Sequence, residues 1–159
     1  MAMSDSESTK EPDICALNVV ENPLLVNEGT QLPLASITVV EFKRPMRNDI
    51  AEGEKHNPID QALGYLNRIR KGSVKTASGR PIPQSENIPG FCYIVADITD
   101  SMKEACENAD MKPTSDHLGY FKYHDRYNAY IEVISFDKLL NNAKQRNRAF
   151  FDRLGFPTR

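Results

Sequence analysis

The sequence predicts an α/β protein, a mixed β-sheet flanked by helices, from three observations. Ile37 to Lys43 (Ile-Thr-Val-Val-Glu-Phe-Lys) and Phe91 to Ile98 (Phe-Cys-Tyr-Ile-Val-Ala-Asp-Ile) are short runs rich in β-branched and aromatic residues, the composition of strands. Between them, residues 58–71 place apolar side chains at helical spacing. A helix between two strands is the arrangement of a parallel crossover. With 159 residues, 40% of them hydrophobic and 26% charged, the chain is expected to form one soluble domain over residues 12–159.

The elements follow in order. Residues 1–11 are small and polar and read as a disordered tail. Asp13 to Val20 reads as the first strand. Residues 21–36, with Asn22-Pro23, Asn27, Gly29 and Pro33, read as a connection with little regular structure. Ile37 to Lys43 is the second strand, stopped by Pro45, and pairs with the first as a long-looped hairpin. Met46 to His56 is charged and expected to be exposed.

A well-punctuated helix comes next. Asn57 fits its N-cap, Pro58 its first position, Asp60 its first turn and Gly72 its end. Ile59, Ala62, Leu63, Leu66 and Ile69 fall within about 120° of one another, while Gln61, Tyr65 and Arg68 share a separate polar flank. Residues 73–89, rich in Pro, Ser and Gly, read as an exposed loop.

Phe91 to Ile98 is nearly all apolar, as a central strand buried on both faces is. Asp100 or Ser101 caps a short helix to about Asn108, and Tyr120–Tyr123 with Tyr127–Ile134 form a second hairpin. Ser135 or Asp137 then caps a final helix that Gly155 closes. Its Leu139, Leu140, Ala143, Phe150, Phe151 and Leu154 recur with helical spacing and read as core.

Composition excludes several functions. A net charge of −2 gives no overall attraction to nucleic acid, yet residues 42–80 hold nine bases against four acids. Cys15, Cys92 and Cys106 lie far apart and are expected to be reduced thiols of a cytoplasmic protein. His56, His117 and His124 lack zinc-ligand spacing. No apolar stretch reaches the length of a membrane span.

The chemistry concentrates at the end of the second strand. Alternation puts Ile37, Val39, Glu41 and Lys43 on one face, so the strand leaves the core carrying a carboxylate beside an ammonium. Antiparallel pairing brings Asp13, at the start of the first strand, toward Glu41. Two carboxylates, a backbone carbonyl such as that of Phe42 and waters make a shell for Mg2+ or Mn2+. Lys43 is then placed to hold a water or stabilise the transition state of phosphodiester hydrolysis. A second acid-x-Lys triplet, Asp110-Met111-Lys112, follows no such strand and reads as a loop.

Pro12-Asp13, Glu41-x-Lys43 after a hydrophobic strand, and Gln61-x-x-x-Tyr65 on the next helix together resemble the PD-(D/E)XK nuclease superfamily, in its Gln-x-x-x-Tyr exonuclease-type branch. The resemblance covers residues 12–65 and extends to the strand at 91–98. It implies a restriction-endonuclease-like core in which Asp13 and Glu41 bind Mg2+ and Lys43 assists attack. Gln61 and Tyr65 would support the site or contact DNA, and Arg44 and Arg68 are further candidate substrate contacts.

Glu41-Phe-Lys-Arg-Pro45 also resembles nuclease domains of Shedu-type antiphage defence proteins. Residues 57–151 are similar to C-terminal regions of proteins that begin with a GHKL-type ATPase domain. Members of the superfamily usually place a helix before the Asp-bearing strand. Here eleven residues precede Pro12, so the chain is expected to be the C-terminal part of a longer protein or to lack that helix.

Two functions follow as expectations. One is Mg2+-dependent DNA cleavage, in defence or repair, with a homo-oligomer as one expected assembly. The other is an inactive nuclease-fold module that binds nucleic acid through Arg68, Arg70 and Lys71, or binds a partner ATPase.

Overall fold

The computed structural model describes residues 12–20, 34–51, 57–72 and 85–155. The expected tail at 1–11, most of the connections expected at 21–36 and 73–89, and residues 52–56 of the segment expected to be exposed lie outside the described residues. Six strands and three α-helices follow in the order β1 (Ile14–Val20), β2 (Leu34–Phe42), α1 (Pro58–Lys71), β3 (Gly90–Val95), α2 (Asp100–Asn108), β4 (Lys112–Pro113), β5 (Gly119–His124), β6 (Ala129–Ile134) and α3 (Phe136–Arg153).

The strands form one mixed sheet in the order β1-β2-β3-β6-β5-β4. β1 runs antiparallel to β2, as the hairpin reading expects, with Ile14 opposite Val40 and Leu17 opposite Ile37. β2 and β3 are parallel, with α1 as the crossover between them, and β3 is parallel to β6. The second hairpin forms from β5 and β6, around a 3-10 turn at Asp125–Tyr127 and Asn128 in the left-handed region (φ 42°). The short β4 edge strand escaped the sequence reading, because two residues including a proline carry no strand pattern.

Period-2 alternation decides which side is buried. Ile37 and Val39 of β2, Cys92 and Ile94 of β3 and Ala129, Ile131 and Val133 of β6 share one face, and all are buried. α1 lays Ile59, Ala62, Leu63, Leu66 and Ile69 onto that face, and α2 adds Met102, Ala105 and Cys106 to the same core. The caps of α1 and α3 follow the sequence, but that of α2 does not: Thr99, and neither Asp100 nor Ser101, is its N-cap, and it makes no side-chain cap hydrogen bond. Asn57 Oδ1 accepts the Ile59 N–H at 2.9 Å, Pro58 opens the helix, and Ser135 Oγ caps α3 by accepting the Lys138 N–H at 3.1 Å.

α1 approaches β3 closely at Gly90, where a side chain would force its neighbours to shift. A Cβ on Gly90 would lie 2.8 Å from Leu66 Cδ1, closer still to Cδ2, and 3.1 Å from the Arg70 guanidinium. Arg70 is itself buried, and its guanidinium donates to the carbonyls of Ile88, Tyr127 and Asn128, fastening α1 to the turns at both neighbouring strand ends.

Two expectations are corrected here. β3 is not buried on both faces: Cys92 and Ile94 are, but Phe91 and Tyr93 are only half-buried. Their rings pack against Tyr130 of β6 at centroid distances of 6.5 and 6.4 Å instead of beneath a second helical layer. The apolar residues of α3 are not core either. No residue of this 18-residue helix is buried, and Phe150 is 59% exposed. Among the described residues, no helix is long and apolar enough to cross a membrane.

Candidate functional site

The site lies where β2 ends beneath the first half of α1. Glu41 and Lys43 continue the Ile37–Val39 face, so they emerge under the helix and not into solvent, with exposures of 5% and 8%. Lys43 is held from both directions. Its N–H donates to the Val95 carbonyl of β3 at 2.9 Å, and its ammonium donates to Glu41 Oε1 at 2.5 Å and to Gln61 Oε1 at 2.7 Å.

One helical turn on from Gln61, the relay continues. Gln61 Nε2 donates to the Tyr65 hydroxyl at 2.7 Å, and the Arg68 guanidinium stacks 4.9 Å from the Tyr65 ring centre. A continuous line of polar contacts therefore joins Glu41, Lys43, Gln61, Tyr65 and Arg68. Sequence reading grouped Gln61, Tyr65 and Arg68 on a polar flank. The structure buries the Tyr65 ring and leaves the flank's other members half-exposed.

Asp13 reaches the same corner from β1. One step beyond the Ile14–Val40 pair, the register sets it opposite Glu41. Its Oδ2 accepts the Phe42 N–H at 2.7 Å, which fixes the carboxylate at the strand end. Unlike Glu41, Asp13 is exposed.

The Tyr65 hydroxyl feels both acids. Burial raises its pKa first, the hydrogen bond from Gln61 lowers it, and the negative charges of Glu41 and Asp13 raise it again, with Arg68 opposing. Both carboxylates thus act on one phenol, so they share an electrostatic neighbourhood.

One buried atom in this cluster stands out. Glu41 Oε2 is out of contact with solvent and has no hydrogen-bond partner among the described residues. Leaving a carboxylate oxygen desolvated and unpaired is costly, and a positive ligand is the direct way to offset it. Among the described residues no group of three or more His, Cys, Asp or Glu side chains gathers as a ready-made metal cluster. A hard cation here would be held by Asp13 and Glu41 with water filling its remaining positions, which suits Mg2+, an ion that retains much of its hydration shell.

Arg44 follows Lys43 and projects into solvent, its side chain 77% exposed and only 3.9 Å from Asp49. Lys71 is exposed as well. Arg70 is not available for a ligand, because its guanidinium is spent on three backbone carbonyls. The sequence offered no signal for that difference, since Arg68, Arg70 and Lys71 read alike as a basic helix end.

Sequence reasoning also missed what holds the loop after β2. Asp97 Oδ2 accepts the Met46 N–H at 2.7 Å, with Met46 at φ 58°. Thr99 Oγ1 donates to the Arg47 carbonyl at 2.8 Å, and Asn48 Oδ1 accepts the Ser101 N–H at 3.0 Å. These bonds stitch residues 46–48 to the segment that leaves β3, beside Lys43. Short Asx and Thr side chains near strand ends are the one sequence hint.

Two of the three thiols offer no competing chemistry. Cys92 and Cys106 are buried, and desolvation pushes the pKa of each up to about 12, so neither supplies a thiolate near neutral pH. His124 stacks edge-on against Tyr127 at 4.7 Å, and His117 sits in an exposed turn. Comparison of the chain with family models, with curated proteins and with solved structures finds no match.

Proposed function

We propose that this chain carries a PD-(D/E)XK-type nuclease site and hydrolyses DNA phosphodiesters with the help of Mg2+ or Mn2+. The observation that carries the reading is the buried Glu41 Oε2, without a hydrogen-bond partner among the described residues, beside the Lys43 ammonium, with Asp13 set opposite across the β1–β2 pair. The element order supports it too: a hairpin bearing both acids, then a crossover helix bearing Gln61 and Tyr65, then a parallel strand.

Asp13 and Glu41 would hold the ion, which when bound supplies Lewis acidity and an acidified water for attack on phosphorus. The chain's own groups do the rest. Lys43 keeps a fixed positive charge at the site and orients Glu41 through their shared hydrogen bond. Gln61 holds Lys43 from the helix side, and Tyr65 holds Gln61. Arg68, stacked on Tyr65, and the exposed Arg44 provide charge for the flanking phosphates. A role in antiphage defence or repair is the setting this reading favours.

Asp13→Asn is the cleanest test, since the residue is exposed and its substitution retains an acceptor for the Phe42 N–H. Glu41→Gln complements it by keeping an acceptor for Lys43. We expect each to lower Mg2+-dependent cleavage of plasmid DNA by about 100-fold or more, with Mn2+ affinity, read by electron paramagnetic resonance, falling in parallel. Wild-type cleavage rates in both variants would overturn the proposal.

A second reading has its own support. Lys43 is already engaged by Glu41 and Gln61, as in a binding module whose relay is structural. Mn2+ binding without cleavage by the wild-type chain would select it.

A further inference from the structure

The final helix poses a problem independent of the site. An isolated helix of 18 residues is marginal in water, and most helices are stabilised by packing an apolar face. Among the described residues the packing of α3 is strongest at its beginning: Ser135 caps it, Phe136 is half-buried, and Lys138 pairs with Asp116 at 3.2 Å. Beyond that turn Leu139, Leu140, Phe150, Phe151 and Leu154 are all exposed.

The apolar stripe has a specific spacing. Phe136, Leu140, Ala143, Asn147, Phe150 and Leu154 are separated by four, three, four, three and four residues. That is the alternation of a heptad seam, with Leu140, Asn147 and Leu154 at one class of core position and Phe136, Ala143 and Phe150 at the other. Asn147, exposed, lies in the middle of the seam. Against any purely apolar surface its amide would be left unpaired, at a cost of about 1–3 kcal/mol. Against the same residue of an identical helix in register, each amide can both donate and accept. The seam is therefore complementary to itself.

The flanks favour one orientation. In a parallel pair Leu139 faces Lys144 of the second copy, and Arg146 faces Phe151, where a guanidinium can lie over a ring. An antiparallel pair would set Arg146 near its own counterpart, a like-charge contact. Five exposed apolar side chains per copy bring the area buried by pairing to on the order of 1,000 Å2, the threshold of a specific interface.

We infer that α3 is a self-association element: two copies of this chain pair in parallel through the Phe136–Leu154 seam, with Asn147 meeting Asn147. The seam is short, so the dimer is weak and reversible, with dissociation in the micromolar range.

Sedimentation of the full chain between about 1 and 200 µM tests the inference. We expect a reversible monomer–dimer equilibrium. In Phe150→Asp/Leu154→Asp the dissociation constant should rise at least about 100-fold, with the thermal midpoint at low concentration unchanged. Asn147→Cys should form an interchain disulfide under mild oxidation. Gln145→Cys, on the outer face, should not. Neither should the unmodified chain, whose Cys92 and Cys106 are buried and whose half-buried Cys15 lies on β1, outside the seam. Introducing Cys15→Ser into each variant removes that thiol from the readout.

Four outcomes would each overturn the inference: a monomer at about 200 µM, a dimer that survives the double aspartate variant, a dimer that Asn147→Cys cannot cross-link, or a monomer whose α3 binds anionic lipid vesicles instead.

Discussion

α1 and α3 have the same kind of apolar periodicity and opposite environments. α1 buries eight of its 14 residues; α3 buries none of its 18. The difference lies in how each is tethered. α1 crosses between two parallel neighbours, β2 and β3, so the connection itself delivers its apolar face to the sheet. Among the described residues α3 is fastened chiefly at its first turn, by the Ser135 cap and the Lys138–Asp116 pair. An apolar stripe therefore specifies that a helix face needs cover, while topology decides whether the chain's own sheet provides it.

Lys43→Met strikes hardest at the α1 side of this comparison. It leaves the Glu41 carboxylate buried without its cation, and breaking a buried pair in this way costs about 3–5 kcal/mol. Urea unfolding should show that loss, and Glu41→Gln/Lys43→Met should recover most of it. With exposures of 5% and 8%, positions 41 and 43 belong to the packed corner, so substitutions there cost stability as well as any activity. A Lys43→Met variant as stable as the parent would mean that the corner opens readily to water.

Alkali probes the same core through its thiols. Cys92, under α1, and Cys106, in α2, have pKa values raised to about 12 from an ordinary 9.0, with burial the leading cause. The unfolded chain loses those protons from about pH 9 and the folded chain only near 12. Stability is thus fully present below pH 9 and falls between 9 and 12, by about 1 kcal/mol per unit for each thiol. Urea midpoints at pH 8 and 10.5 should show the decline, and Cys92→Ala should make it shallower. A slope unaffected by that substitution would mean Cys92 ionises freely in the folded chain.

Gly90→Ala has a smaller effect at the same interface. The added methyl meets the flexible end of Leu66 and the Arg70 guanidinium, so the helix yields rather than unfolds, at about 1–3 kcal/mol. A neutral result would indicate that α1 sits farther from β3 than the packing of Leu66 requires.

Much of this was legible from residues alone, and the limits have physical causes. Strands β1, β2, β3 and β6, the caps at Asn57 and Ser135 and the approach of Asp13 to Glu41 and Lys43 follow from local rules of alternation, capping and strand pairing, whereas only the family resemblance implied that Gln61 and Tyr65 reach the same corner. What local rules omit is which layer covers which face. They could not tell that Phe91 and Tyr93 lack a second helical layer, that Arg70 would be consumed by three carbonyls while Lys71 stays free in solvent, or that the phenylalanines of α3 would be exposed. Those are properties of the assembled sheet, and each residue involved looks the same in one dimension.

The smallest expected effect separates the two helices most sharply. Phe150→Asp places a charge on a side chain that is already 59% exposed, so at low protein concentration the folded monomer should change by no more than about 0.5 kcal/mol. The same class of change in α1 is severe: even Leu66→Ala, at a fully buried position, is expected to cost about 2–5 kcal/mol. Urea unfolding of both variants at about 1 µM, where α3 pairing contributes little, tests the contrast directly. A loss of 2 kcal/mol or more at Phe150, on the order of a buried side chain, would mean that α3 finds its cover within its own chain, and the distinction between the helices would vanish.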